Sequence, residues 1–182
     1  MSAQDSKLFV ISGPSGAGKG TLVTRVRERR SNLGLTVSAT TRAPRKGEVD
    51  GVNYFFLTRE EFDRRVANGE FVEWAEVHGN CYGTLVSEVQ SKLASGSSLI
   101  LEIDVQGALQ VKERFPEAVL IFIKPPSLEV LRERLVGRGT ETPETIELRM
   151  ANAAHELALA DRYDDVVVND DLDRATDELV RV

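Results

Sequence analysis

The chain has 182 residues, 41% of them hydrophobic and 29% charged, with a net charge of −6. That composition belongs to an ordinary globular domain with one substantial core, and no apolar run approaches the ~20 residues that span a bilayer. The acidic balance speaks against broad nucleic-acid binding, and one cysteine (Cys81) with two histidines excludes a disulfide framework or a zinc pattern. Residues 1–6 are polar and lack the apolar centre of a signal peptide, so the expected compartment is the reducing cytoplasm.

In chain order, the apolar run 7–12 reads as a buried strand and 19–30 as the helix it feeds. Between them lies Gly13-Pro14-Ser15-Gly16-Ala17-Gly18-Lys19-Gly20-Thr21. A strand, a glycine-rich turn and a helix together form the setting of a phosphate-binding loop. Glycines let successive N–H groups turn into one concavity, and the helix N-terminus adds its partial positive charge. Lys19 then sets a full charge against the β- and γ-phosphates of a nucleoside triphosphate. The strict pattern has Ser or Thr after the lysine, whereas this chain has Gly20, and the nearest hydroxyl is Thr21. The loop therefore offers no obvious direct Mg²⁺ ligand.

Arg25, Arg27, Arg29 and Arg30 crowd the end of the first helix, where cations suit its dipole. A short strand is expected over 35–38, and 39–50 is a polar loop punctuated by Pro and Gly. Residues 51–57 read as a strand. Thr58 is an N-cap with Glu61 completing a capping box for a helix over 59–68. A strand over 71–77 and a turn at 78–80 precede an amphipathic helix over 84–94, with Leu85, Val89 and Leu93 on one face. Trp74 and Cys81 read as packing residues.

The run 98–104 ends in Glu102 and Asp104. A helix over 105–114 and a strand over 118–123 follow, stopped by Pro125 and Pro126. Ser127 caps a helix reaching about Val136, 137–143 is a loop, and 144–160 is a helix with Ile146, Met150, Ala153, Ala154 and Leu157 inward. A strand over 166–168 and a helix over 171–181 close the chain. Strands near 8, 35, 98, 118 and 166 separated by helices predict a parallel α/β sheet flanked by helices. Ligands of such sheets gather beyond the strand carboxyl ends, so Glu102 and Asp104 should face the loop's crevice. One domain is expected, with its core at about 1–38, 96–126 and 164–182. A mixed α/β lobe at about 39–95 and a helical lid at about 127–163 leave that core.

These residues resemble the guanylate kinases of the nucleoside-monophosphate kinase group, with a P-loop NTPase fold, over essentially the whole length. The resemblance rests on the 13–21 loop, on Ser38 to Glu48 with Arg42 and Arg45, and on 51–56. It continues through 71–75, 82–84, Leu101 to Gly107, and Arg138-Gly139-Thr140-Glu141-Thr142. The phosphate loop alone is common; the 38–48 and 101–107 segments are far more specific. The resemblance implies transfer of the γ-phosphoryl group of ATP to GMP, giving ADP and GDP, with Mg²⁺ carried mainly by ATP. Such chemistry rests on positioning and electrostatics and needs no base of special pKa, so the scarcity of histidine fits.

By the same resemblance, residues 13–21 and Asn169 hold ATP, with Asn169 at the adenine. Ser38, Arg42, Arg45, Tyr54 and Tyr82 hold the GMP phosphate. Arginine suits this because its planar fork meets phosphate oxygens in pairs. Glu73 accepts from the N1–H and N2–H₂ donors of guanine, Thr84 meets O6, and Asp104 supplies a further acceptor. Lys19, Arg42, Arg134, Arg138 and Arg149 supply the catalytic charge, the last three from the lid. Arg132 falls on another face of its helix and reads as a surface residue. No protein metal-ligand set, nucleic-acid partner or membrane partner is expected. Scaffold domains that share the fold but bind phosphorylated partners are the alternative of a different class. They carry a degraded nucleotide loop, whereas Gly13, Gly16, Gly18 and Lys19 are intact here. A kinase of a phosphorylated sugar would lack the Glu73, Thr84 and Arg42/Arg45 set.

Overall fold

The computed structural model describes residues 6–77, 79–139 and 141–182. His78, expected in a turn, and Thr140, in the lid loop, lie outside the described residues, as do positions 1–5. Five parallel strands make the core sheet: β1 (Leu8–Ser12), β2 (Leu33–Leu35), β7 (Ser98–Glu102), β8 (Val119–Lys124) and β9 (Asp165–Val168), in the order β2-β7-β1-β8-β9. Central β1 is hydrogen-bonded on both sides, with Val10 beside Leu101 and Leu120. Its carboxyl end, where the phosphate loop begins, therefore opens between β7 and β8. The parallel α/β expectation holds.

The central strands are apolar on both faces because both faces are covered. On one side α1 (Lys19–Arg29) and α7 (Leu172–Arg181) pack Leu22, Val26, Ala175 and Leu179 against Ile11, Ile100 and Ile121. On the other, α3 (Val86–Ala94) and α4 (Val105–Arg114) set Val89 and Val111 against Val10, Leu99, Leu120 and Phe122. Each such fully buried side chain contributes roughly 1.5–3 kcal/mol of transfer free energy.

A second sheet, in the order β4-β3-β6-β5, contains β3 (Ala39–Thr40), β4 (Phe55–Phe56), β5 (Phe71–Val77) and β6 (Asn80–Leu85). Helix α2 (Arg59–Ala67) covers it, and Phe62 stacks on Phe71 at 4.4 Å between ring centroids. Thr58 caps α2 by accepting from the Glu61 N–H at 3.1 Å. The return half of the capping box is replaced, since the Glu61 carboxylate pairs with Arg65. The lid consists of α5 (Leu128–Gly137) and α6 (Pro143–Leu157), joined over Leu131, Leu135, Ile146 and Ala153. A short 3-10 turn at Ala160–Arg162 returns the chain to β9.

Several local expectations change. The helix expected over 84–94 begins at Val86, because Asn80–Leu85 is a strand paired antiparallel with β5. Only Phe55–Phe56 of 51–57 is strand: Asn53 Oδ1 takes the Val49 N–H and Asp50 Oδ1 the Phe56 N–H, capturing backbone that a ladder would need. The strand expected at 35–38 lies at Leu33–Leu35, and the Val37 N–H goes to Glu88 Oε1 instead. The lid's second helix ends at Leu157 rather than 160, and Ala154 is exposed. Cys81 is buried as expected, whereas Trp74 is half exposed, with its ring edge on Phe62.

Candidate active site: two facing phosphate sites

Helix α1 starts at the phosphate loop without a side-chain cap, because Gly18 in the left-handed region (φ 90°) occupies the cap position. Its first N–H groups are thus left for an anion. Two glycines there are steric requirements. A Cβ on Gly13 (φ +147°) would come within 2.2 Å of Ile123 O, and one on Gly18 within 2.4 Å of Asn169 Nδ2. Lys19 folds back over the loop, donating to Gly13 O at 2.6 Å and Pro14 O at 3.1 Å. Burial lowers its pKa below the ordinary value of 10.5, an effect opposed chiefly by the Glu102 carboxylate.

Asn169, at the end of β9, is buried beneath this loop. Its side-chain amide donates to Ala17 O at 2.8 Å, and its backbone carbonyl accepts from Arg134 Nη2 at 2.8 Å. The loop is therefore tied to both the sheet edge and the lid. The other terminal nitrogen of Arg134, Nη1, is buried without a protein partner. Arg149 on α6 donates to Ser15 Oγ within the loop. Arg138, at the end of α5, is exposed, and its charge adds to the lowering of the Lys19 pKa. Arg132 is a surface residue paired with Glu147.

Across a cleft of about 570 Å³, Gly20, Glu102 and Asp104 face Ser38, Glu73, Tyr82 and Thr84. Thr84 Oγ1 donates to Glu73 Oε1 at 2.8 Å, joining two neighbouring strands. Burial raises the Glu73 pKa, the Thr84 bond opposes the rise, and the nearby Asp104 charge adds to it. Asp104 caps α4, accepting from the Gly107 N–H at 2.7 Å. A Cβ on Gly107 would crowd Asp104 Oδ1 at 3.2 Å and make ordinary contact with Glu73 Cβ at 3.5 Å.

Arg42 lies with its guanidinium carbon 5.3 Å from the Tyr54 ring centroid, and Tyr54 meets Tyr82 edge-on at 6.2 Å. Its Nη2 donates to Glu48 Oε1 at 2.9 Å and its Nη1 to Ala43 O at 2.8 Å. The other Glu48 oxygen accepts from the Arg45 backbone N–H at 2.7 Å. That bond to Glu48 raises the Arg42 pKa, and the same bond lowers that of Glu48. The Tyr82 hydroxyl also bonds to this guanidinium, so Glu48, Ala43 and Tyr82 together fix its plane. The Arg45 side chain itself is exposed. The sequence assigns Glu48 no role of its own; the signal for it is a carboxylate six residues beyond Arg42 in the same polar loop. Thr21 is exposed on α1. Among the described residues no group of three or more His, Cys, Asp or Glu side chains is arranged to hold a metal ion, and no helix is long and apolar enough to cross a membrane.

A family model described as guanylate kinase matches residues 5–182. The chain belongs to the guanylate kinase family. It is 53% identical to a guanylate kinase of Halalkalibacterium halodurans over 98% of this chain and 88% of that protein. To the guanylate kinase of Gloeobacter violaceus it is 56% identical, over 97% of this chain and 86% of the relative. Among solved structures, the crystal structure of guanylate kinase from Anaplasma phagocytophilum matches with a TM-score of 0.67 at 37% identity. That match covers 97% of this chain and 83% of the other.

Proposed function

We infer that this protein is a guanylate kinase, transferring the γ-phosphoryl group of ATP to the phosphate of GMP. The observation that carries this reading is the bonded Glu73–Thr84 pair, which shares one cleft with Gly20 at the end of the phosphate loop and with Asp104. Ionised Glu73 accepts from N1–H and N2–H₂ of guanine, Thr84 meets O6, and Asp104 adds an acceptor. Adenine lacks those donors and carries an amino group where guanine has O6, so AMP would leave buried groups unpaired. Tyr54, Tyr82, Ser38, Arg45 and the Glu48-braced Arg42 hold the GMP phosphate.

On the donor side, residues 13–21 receive the triphosphate, with Lys19 leaving its carbonyl partners for phosphate oxygens. Bound phosphate replaces the solvation that burial removes and keeps the ammonium charged. Asn169 Oδ1, the atom not committed to the loop, accepts from the adenine amino group. Arg134, Arg138 and Arg149 bring positive charge from the lid to the transferring group, where it spreads over equatorial oxygens. Seating the lid excludes water, which would otherwise compete as acceptor.

Mg²⁺ bound to the ATP phosphates neutralises developing charge. The residues fit a metal carried by the nucleotide rather than one caged by protein. Gly20 offers no ligand, but the Glu102 oxygens lie 3.7 and 3.8 Å from where its Cβ would stand. The carboxylate is therefore at hand for the metal's waters. The cytoplasm suits a chain whose only cysteine is buried and free. A coupled assay of ADP release with ATP–Mg²⁺ and GMP, AMP, CMP or UMP tests the reading. GMP should be preferred over AMP by about 10³ or more in kcat/KM. Comparable turnover with AMP would remove the base-reading role, and no turnover with any acceptor would favour a binding module.

A further inference from the structure

Arg149 does not reach the phosphate loop unaided. Its Nη1 donates to Ser15 Oγ, while its Nε lies 2.7 Å from Glu141 Oε2. Glu141 stands immediately before Thr142, the N-cap of α6, and Arg149 lies about two turns along that helix. Pro143 opens the first turn with its fixed φ, and the Thr142 hydroxyl accepts from the Thr145 N–H at 3.3 Å. The entry to α6 is thus rigid, and it lays the preceding carboxylate back along the helix flank.

This ion pair, local to the entry of α6, differs from the Arg132–Glu147 pair that joins α5 to α6. Arg132 and Glu147 are 47% and 64% exposed, whereas the Glu141 side chain is 10% exposed and its Oε2 is buried without a hydrogen bond, so it meets Arg149 as a close charge contact. The Glu141 charge also sits against the inner nitrogen of Arg149 rather than its terminal pair. An arginine held at Nε keeps its outer fork for another anion, and less rotamer freedom is lost when that anion binds. The direction of the fork is visible, because Nη1 already touches the loop at Ser15. The cleft beside this contact, about 310 Å³, is lined by Ser15, Thr145, Arg149, Asn152 and Glu156.

We propose that Glu141 is a positioning residue for phosphoryl transfer, anchoring Arg149 at Nε so that its terminal nitrogens meet the donor phosphates over the loop. This rests on the role given to Arg149 above. Glu141 touches no substrate, so its effect must pass through the arginine.

A double-mutant cycle with Glu141→Gln and Arg149→Ala tests this in steady-state kinetics. Glu141→Gln keeps the shape and removes the charge. It should lower kcat about tenfold and leave KM for GMP within about twofold. In the Arg149→Ala background the same change should alter kcat by less than about twofold, since the pair acts as one unit. Multiplicative effects would overturn the inference by making Glu141 independent of Arg149. Wild-type kcat in Glu141→Gln beside an impaired Arg149→Ala would overturn it while sparing the role of the arginine. An Arg149→Ala enzyme as fast as wild type would overturn both. Should Glu141→Gln fail to fold, Arg149→Lys gives a second reading. Lysine cannot be held at an inner nitrogen, so the charge alone should leave kcat about tenfold down, and full activity would contradict the anchoring.

Discussion

Lys19 and Glu73 are both held against their own charge, and the two shifts run in opposite directions. For Lys19, burial lowers the pKa in the ligand-free protein, whereas bound phosphates favour the ammonium. As pH rises, the free enzyme should lose the charged form below the ordinary lysine value of 10.5, while the ATP complex keeps it to higher pH. The alkaline limb of kcat/KM for ATP, which reports the free enzyme, should therefore fall at lower pH than that of kcat. Lys19→Met should lower kcat by about 10³ or more with an unchanged circular-dichroism spectrum. Coincident alkaline limbs, or an active methionine variant, would contradict the role. The Glu73 pKa is raised instead, so the folded state prefers the neutral acid. Its stabilising contribution is present at low pH and is lost as pH rises through the raised value. The ionised form needed for guanine is thus carried at a cost to the fold.

At the scale of elements, most boundaries could be read because they rest on local chemistry. Ser127 and Asp171 cap their helices through the Val130 and Arg174 N–H groups, and the 13–21 loop bends where its glycines require it. What was not legible depends on partners distant in sequence or on side chains that capture backbone. Strand β6 exists because β5 lies beside it, while the Leu85, Val89 and Leu93 spacing reads as helix from its first residue. In the site, the arginines could be nominated from their segments, but the carboxylates that aim them, Glu48 and Glu141, could not. Both fall inside segments that carry the resemblance, but nothing in the spacing shows which arginine each carboxylate meets. The cross-helix pairs Arg25–Asp173 and Arg29–Asp177 illustrate a contact with little weight, since all four side chains are exposed. The double variant Asp173→Asn/Asp177→Asn should lower Tm by only about 2–5 °C at low salt. Calorimetry in about 0.5 M NaCl should shrink that difference by screening; a salt-independent loss above about 10 °C would mean these pairs are buried in effect.

At the scale of the molecule, the fold sets two sites against each other and connects them through few side chains. Asn169 holds the loop, the sheet edge and Arg134 together, and Arg149 joins the lid to Ser15. The four-stranded lobe meets the core through α4 against β5, with Gly107 between Asp104 and Glu73. The lobe and the core line one cleft, and α6 lines a second beside Ser15 of the phosphate loop. The most direct measurement is the GMP-to-AMP ratio of kcat/KM in wild type and in Glu73→Gln, taken beside their Tm at pH 7. The substitution should cut the ratio by about 10- to 100-fold through loss of a charged acceptor, while Tm stays equal or rises because a buried charge is gone. An unchanged ratio would contradict the reading of the cleft as a guanine site.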